Sequence, residues 1–391
     1  MANKKARVIA FYLPQYHPIP ENDKYWGKGF TEWINVAKAK PLFKGHDQPR
    51  IPADLGFYDL RIPEIREEQA KLAKEAGVEG FCYWHYWFGG GKELLERPFN
   101  EVVESGKPDF PFCLGWANHT WSTRTWNSSK GREGGSLIAE QLYPGEEDYT
   151  LHFNKYLKAF KDKRYIKVDG KLLFVIFAPR HFEDFKTFKL VWNRLAKENG
   201  LNSFFFVGIT TNFTITDSTK GVNYSLKSRS EIESGARPLY QDIFDRGYDG
   251  VNPRGDTRAN ILSTSFLSYY FKRFLMKIGI KTVAKYDYAD IIKYYYADID
   301  NGNNIYPTII PNFDRSPRAS WRTSNLWYNS TPELFKMHVE MALKLVENKN
   351  DEHKLLFLKS WNEWGEGNYM EPDQTWGHGF LDALRECIVE D

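Results

Sequence analysis

The chain of 391 residues holds only three cysteines, Cys82, Cys113 and Cys387. An odd number without CxxC spacing excludes a disulfide framework and offers no zinc site, so the three read as small core hydrophobes. Net charge is nearly absent: 53 Lys and Arg stand against 51 Asp and Glu, which argues against a nucleic-acid partner. No apolar run approaches the roughly 20 residues of a membrane span, and no transmembrane segment is expected. The basic start, residues 1–7, runs within a few positions into Gln15 and His17. It lacks the apolar stretch of a signal peptide, and the chain reads as cytoplasmic.

Cofactor signatures are missing as well. There is no GxGxxG, HExxH or GxSxG. Gly89-Gly90-Gly91-Lys92-Glu93 lacks the glycine spacing of a phosphate loop and the hydroxyl residue after the lysine. Asp298-Ile299-Asp300 matches the DxD of metal-holding transferases, but it follows a helical run instead of ending a strand. No metal and no cofactor are expected. The sequons at Asn118 and Asn329 matter only in a secreted eukaryotic setting, which nothing here indicates. Internal repeats and Pro/Ser-rich linkers are absent too, so 1–391 reads as a single elaborated domain.

What is abundant is aromatic side chain, with 13 Trp, 23 Tyr and 28 Phe. Many tryptophans sit in polar, glycine-containing segments, where an indole face suits stacking on the C–H face of a sugar while polar neighbours bond its hydroxyls. The plain alternative is that they fill the core.

Apolar runs alternate with helical patterns along the whole chain, the signature of repeated βα units. Candidate strands cover 8–13, 80–86, 112–118, 172–178, 204–210, 250–252, 306–311 and 355–361. Eight of them predict an α/β fold, a (β/α)8 TIM barrel. Residues 63–76 form an amphipathic helix closed by Gly77, and 331–346 another, opened by Thr331 and Pro332. Such a barrel needs about 250 residues, so the surplus falls in long βα loops at 14–60, 119–145 and 211–235. The aromatic, basic stretch 265–277 reads as an amphipathic helix on the surface or packed on the barrel, with a membrane-surface role as the alternative.

Functional groups of a barrel gather at the C-terminal ends of its strands. The candidates for binding saccharide are therefore Tyr12, Gln15 and His17 after the first strand, and Trp26, Glu32 and Trp33 in its loop. Tyr83, His85 and Trp87 follow at the second, Trp116, Asn118, His119, Arg124 and Trp126 at the third, Asn252 at the sixth, and Trp361 and Trp364 at the eighth. The eighth strand also carries Glu363 and Glu366, whose spacing lets both face one site. Two carboxyls in an aromatic pocket do not share a pKa, since burial and mutual repulsion raise one while the other stays ionised. That is the acid and base pair of glycosidic chemistry. Capping a helix or a backbone amide is the structural alternative for either. Arg50, Arg124, Arg318 and Arg322 are candidates to hold acidic sugars.

Several segments resemble a known family. Phe11-Tyr12-Leu13-Pro14-Gln15-Tyr16-His17, Trp26-Gly27-Lys28-Gly29-Phe30-Thr31-Glu32-Trp33, 49–60, 80–88, 106–118 and 361–372 are together similar to the bacterial WbsX-like proteins of surface-polysaccharide gene clusters, which are related to family 99 glycoside hydrolases, the endo-α-mannosidases. The resemblance implies a metal-free (β/α)8 barrel in which Glu363 deprotonates the sugar 2-hydroxyl for attack on C1, and Glu366 acts as acid and then base at the leaving oxygen. One departure stands out: the WbsX-like pattern Trp-Ala-Asn-Glu-Asn-Trp reads Trp116-Ala117-Asn118-His119-Thr120-Trp121 here, so mannose specificity is not carried over.

Three functions are compatible with these residues: an endo-acting glycoside hydrolase or transglycosylase on a bacterial surface polysaccharide or its precursor, a glycosyltransferase of polysaccharide biosynthesis, and a non-catalytic carbohydrate-binding protein. The partner in each case is an oligosaccharide or polysaccharide.

Overall fold

In the computed structural model the alternating runs become eight parallel strands, each followed by a helix. The structure describes residues 4–123, 136–211, 236–264, 283–319 and 326–390, with 267, 268, 271, 274, 275 and 278–280 between. The strands are β1 (Arg7–Tyr12), β2 (Gly80–Trp87), β3 (Phe112–Trp116), β4 (Lys171–Ile176), β5 (Phe204–Thr211), β6 (Gly250–Arg254), β7 (Thr308–Ile309) and β8 (Leu355–Leu358). They pair in the order β6-β5-β4-β3-β2-β1-β8-β7. Val251 nearly closes the ring, donating its N–H to Asn304 O at 2.9 Å and accepting from Tyr306 N–H at 2.8 Å. Asn252 Nδ2 adds hydrogen bonds to Tyr306 O at 2.7 Å and to Thr308 Oγ1 at 2.8 Å. The (β/α)8 barrel is the fold expected.

All eight expected strands are present, with shifted ends. β7 shrinks to two residues because Pro307 and Pro311 remove the N–H donors on either side. β3 and β8 stop short of 118 and 361, and their last expected residues turn into the loops of the C-terminal mouth.

The outer ring comprises α1 (Pro63–Glu75), α2 (Arg97–Ser105), α3 (Glu146–Phe160), α4 (Phe185–Glu198), α5 (Ala236–Asp245), α6 (Tyr288–Tyr295), α7 (Pro332–Val346) and α8 (Gly379–Ile388). α1 ends at the expected glycine: Gly77 has φ +89°, and Val78 N–H returns to Ala73 O at 2.9 Å. At the start of α7, Thr331 Oγ1 accepts from Leu334 N–H at 3.3 Å.

The strands are buried on both faces, as a parallel barrel requires, and the core between strands and helices is dense in rings. Trp33, Trp87, Trp116, Trp121, Trp192, Trp327, Trp361 and Trp364 are all buried, so most of the tryptophan content is core, and the reading of it as binding surface is corrected for these residues, Trp121 excepted. Cys82, Cys113 and Cys387 are buried and unpaired. Asp300 of the DxD accepts from Tyr240 Oη at 2.5 Å and from Ala297 N–H at 2.8 Å, which commits it to holding a turn. The stretch 265–277 lies partly outside the described residues; within it Leu267, Phe271 and Phe274 are exposed. No helix among the described residues is long and apolar enough to cross a membrane.

Candidate active site

The segment after β8 is built around two glycines. Asn362–Glu363 pairs antiparallel with Asn368–Tyr369, and Trp364–Glu366 forms a 3-10 turn between them. Gly367 closes the turn at φ +65°, where a Cβ would lie 2.9 Å from Asp314 Cβ, so only glycine fits. A Cβ on Gly365 would meet Glu32 Oε1 at 2.3 Å. Asn362 fixes the segment to the end of β1: its Oδ1 accepts from Leu13 N–H at 2.7 Å and its Nδ2 donates to Leu13 O at 3.0 Å.

Arg318 lies at the centre. It rides on the short helix Ser316–Ala319, whose first turn is capped by Asp314 Oδ1 accepting from Ser316 N–H at 2.8 Å. Asp314 is itself held by Gln48 Nε2 at 2.7 Å and His46 Nε2 at 2.9 Å. The guanidinium donates Nε and Nη2 to the two oxygens of Glu32 at 2.9 and 3.1 Å, Nη2 to Glu363 at 2.7 Å, and Nη1 to Glu366 at 2.8 Å. Arg315 reaches Glu366 at 3.1 Å. One cation thus gathers three carboxylates from two distant segments of the chain.

The shared cation lowers the pKa of both Glu363 and Glu366, and their other surroundings set them apart. Burial pushes Glu363 up to about 8, with Glu366 and Glu32 adding to the shift against the pull of Arg318. Burial also works against ionisation of Glu366, but Arg315, Arg318, Lys359 and Arg254 outweigh it and bring that group down to about 2. At neutral pH the pair therefore holds one proton, on Glu363. The resemblance implies the reverse distribution for the start of a reaction.

Both glutamates line a cavity of about 380 Å³ at the C-terminal mouth of the barrel. Of the sequence candidates, Gln15, His119 and Asn252 share that wall. Gln15 Nε2 donates to Tyr86 Oη at 2.6 Å. Burial holds His119 uncharged, its pKa lowered to about 4.

The other saccharide-binding candidates among the described residues do not line the cavity; on β2 the alternation of the strand turns Tyr83, His85 and Trp87 into the core. Tyr12 bonds Gln69 at 2.6 Å, and Tyr83 packs 5.2 Å from Phe99. His85 meets His152 at 2.9 Å, Trp87 donates to Asp148 at 3.0 Å and Trp116 to Trp87 O at 2.8 Å. Asn118 ties β3 to the end of β4 through Ala178 O at 3.1 Å. His17 is buried and pushed down to about 4 by that burial. Trp26 stacks on Phe30, and Trp33 donates to Tyr58 O at 2.8 Å. Trp361 is enclosed against Phe81, and Trp364 donates to Glu371 at 2.6 Å. Glu32 lies behind the wall as the bidentate partner of Arg318. Arg318 lines the cavity but is engaged by three carboxylates, and Arg50, which donates to Gly367 O at 3.2 Å, lines a separate cavity with Tyr369 and Asp373. Arg124, Trp126 and Arg322 lie outside the described residues.

Reading the strand ends missed other lining residues: Trp84 and Tyr86 beside the chosen positions of β2, Phe177 after β4, Arg254 and Asp256 at β6, Arg315 after β7, and Lys359 at β8. The rule of strand ends covers all of them. What it could not supply was which of two neighbouring residues points inward.

The mouth of this (β/α)8 barrel thus carries a paired-glutamate cavity walled by aromatic rings. Residues 8–384 match the family described as Glycosyltransferase WbsX, and the chain belongs to that family. Two strains of Xanthomonas campestris pv. campestris carry a relative named as uncharacterized protein WxcX, 31% identical over 98% of this chain and 50% of the relative. The chain therefore spans about half the length of the curated relatives it matches. A solved glycoside hydrolase-like protein is similar over all of this chain and 96% of its own, with TM-score 0.61 and 13% identity. The GH99 endo-alpha-mannosidase from Bacteroides thetaiotaomicron is similar over 97% of this chain and 95% of its own, with TM-score 0.50 and 14% identity. At these identities the likeness is one of fold.

Proposed function

We propose that the protein is an endo-acting glycoside hydrolase or transglycosylase that works on a bacterial surface polysaccharide or its precursor. The observation that carries this reading is the pair Glu363 and Glu366, which share one cavity and one guanidinium while one is protonated and the other ionised. Retention by 2-hydroxyl participation needs that state: one carboxylate takes the 2-hydroxyl proton as O2 bonds to C1, and the other gives its proton to the departing glycosidic oxygen. Water then adds at C1, losing a proton to the second group, while O2 recovers one from the first. A sugar hydroxyl as acceptor in place of water gives transglycosylation.

With Glu363 as base and Glu366 as acid, the resting proton has to pass from Glu363 to Glu366 before the leaving oxygen is protonated. The contact most open to displacement by substrate is Arg315, 38% exposed at its side chain, and its loss would raise Glu366 toward the range of an acid. With the roles exchanged no transfer is needed. A glycosyl fluoride, whose departure requires no acid, separates the two: the variant lacking the acid retains bond cleavage and the variant lacking the base does not.

The direct test is mass spectrometry of the source organism's polysaccharide and its lipid-linked precursor after incubation with wild type and with Glu366→Gln. New reducing ends from wild type alone support the reading, while fragments from a well-folded Glu366→Gln sink it. The family's description as a glycosyltransferase favours a second reading, transfer from an activated sugar. Calorimetric titration with nucleotide sugars distinguishes it, since a hydrolase binds none.

A further inference from the structure

Among the described residues four cations line the cavity: Arg254, Arg315, Arg318 and Lys359. Arg315 and Arg318 are ion-paired with the glutamates. The other two are not. Among the described residues, neither the Arg254 nor the Lys359 side chain has a hydrogen-bond acceptor or a carboxylate within ion-pair distance, and Arg254 Nε is buried without a partner. Each instead rests on an aromatic ring of the same wall, the Arg254 guanidinium 5.5 Å from the centroid of Phe177 and Lys359 Nζ 4.5 Å from that of Phe313.

The carboxylates facing them are few. Glu366 is held by Arg315 and Arg318, and Glu363 carries the resting proton. Among the described residues Asp256 is the remaining acid in the wall, and it forms no ion pair with either cation. Its Oδ1 is itself buried without a donor. Two unpaired cations against one carboxylate leave a surplus of positive charge in a half-enclosed, ring-lined space. A cation held away from water without a partner is costly, and a ligand anion would relieve that cost in the bound state. His119, uncharged on the same wall, does not compete with an anion.

We propose that Arg254 and Lys359 form an anion subsite beside Glu363 and Glu366, so that the saccharide bound there bears a negatively charged substituent, a carboxylate, phosphate or sulfate, next to the bond attacked. This deepens the glycosidase reading and rests on it for the word substrate, but the subsite itself can be tested without turnover. The sugar would lie in the ring-lined cavity with its charged group toward the two cationic side chains.

The experiment is thermal unfolding of the full chain at fixed ionic strength in sodium sulfate, inorganic phosphate and sodium chloride. Methyl glucuronide, glucose 6-phosphate and glucose 6-sulfate are then compared with methyl glucoside. Sulfate and phosphate are expected to raise the melting temperature saturably above chloride, and the charged sugars to do so at lower concentration than the neutral one. The order among the three identifies the substituent. Arg254→Met and Lys359→Met each raise the half-saturating concentration about tenfold or more, as the loss of one charge-assisted hydrogen bond predicts. Lys359→Arg, which keeps the charge, retains the response and guards against a folding artefact. A wild type that answers all salts and sugars alike, or a folded double methionine variant that keeps the saturable response, overturns the proposal. Polysaccharide fragments without anion binding would refute the subsite alone. Anion binding without product on any glycan would refute the glycosidase reading and leave the subsite standing.

Discussion

Replacing Arg318 with methionine keeps the volume and removes the charge that three buried carboxylates share. Stripping one partner from a buried ion pair costs about 3–5 kcal/mol, because the other is left desolvated and uncompensated. The unfolding entropy of a protein scales as about 2.1 cal/mol/K per residue, so 391 residues give roughly 0.8 kcal/mol/K and the variant should melt about 4–6 °C below wild type at pH 7. The deficit should also depend on pH with a definite sign. Glu366 is depressed to about 2 in the folded protein, so its stabilisation is present above its ordinary value near 4.5 and is lost as pH falls through 2. The gap between wild type and Arg318→Met should therefore be full at pH 7 and narrow as pH drops below about 4.5. Adding Glu32→Gln to the variant removes one stranded charge and should recover part of the loss. Calorimetry at pH 7, 5 and 4 measures all three. A variant melting within a degree of wild type at pH 7 would show that the network carries no net energy. A deficit constant with pH would assign the cost to packing and refute the electrostatic argument.

Other outcomes follow from the same geometry. The pH dependence of kcat/KM should fall on the alkaline side near pH 8 as Glu363 loses its proton, and Arg318→Met should move that limb upward, since the guanidinium lowers the pKa of Glu363. Gly365→Ala should abolish activity and lower the melting temperature about as much as Arg318→Met, because its Cβ would lie 2.3 Å from Glu32 Oε1 and 2.9 Å from Arg318 Nε; a fully active alanine variant would contradict this packing. Asn362→Leu deprives Leu13 of both its side-chain partners and should cost about 2–4 kcal/mol, read by denaturant unfolding. Glu32→Gln should lower the melting temperature and reduce kcat with little change in KM, read by calorimetry and steady-state kinetics, because Glu32 is the buried partner of Arg318 and does not touch the cavity.

Periodicity and punctuation were enough to specify the barrel. Apolar runs at the spacing of βα units admit one common solution, and Gly77 and Thr331 mark helix ends through backbone needs that are local. The loops and strand ends likewise marked the region of the site, and the paired glutamates stand out because two acids after an apolar strand have few structural uses. Side-chain direction was not legible. Strand alternation decides whether Tyr83 or Trp84 faces the cavity, and a shift of one residue exchanges lining for core. His85, Trp87 and Trp116 are polar aromatics at strand ends by sequence, yet their neighbours in space are His152, Asp148 and each other, which come from distant segments.

The sequence by itself determined the architecture, the place of Glu363 and Glu366, and the glycine turn that presents them, because each depends on residues close in the chain. Only the tertiary structure decided that Glu32 joins Arg318 behind the wall, that burial raises the pKa of Glu363 while the surrounding cations lower that of Glu366, and that Arg254 and Lys359 have no carboxylate partner among the described residues. Those are properties of charge and burial, and they arise only when residues hundreds of positions apart are brought within a few ångströms and shielded from water.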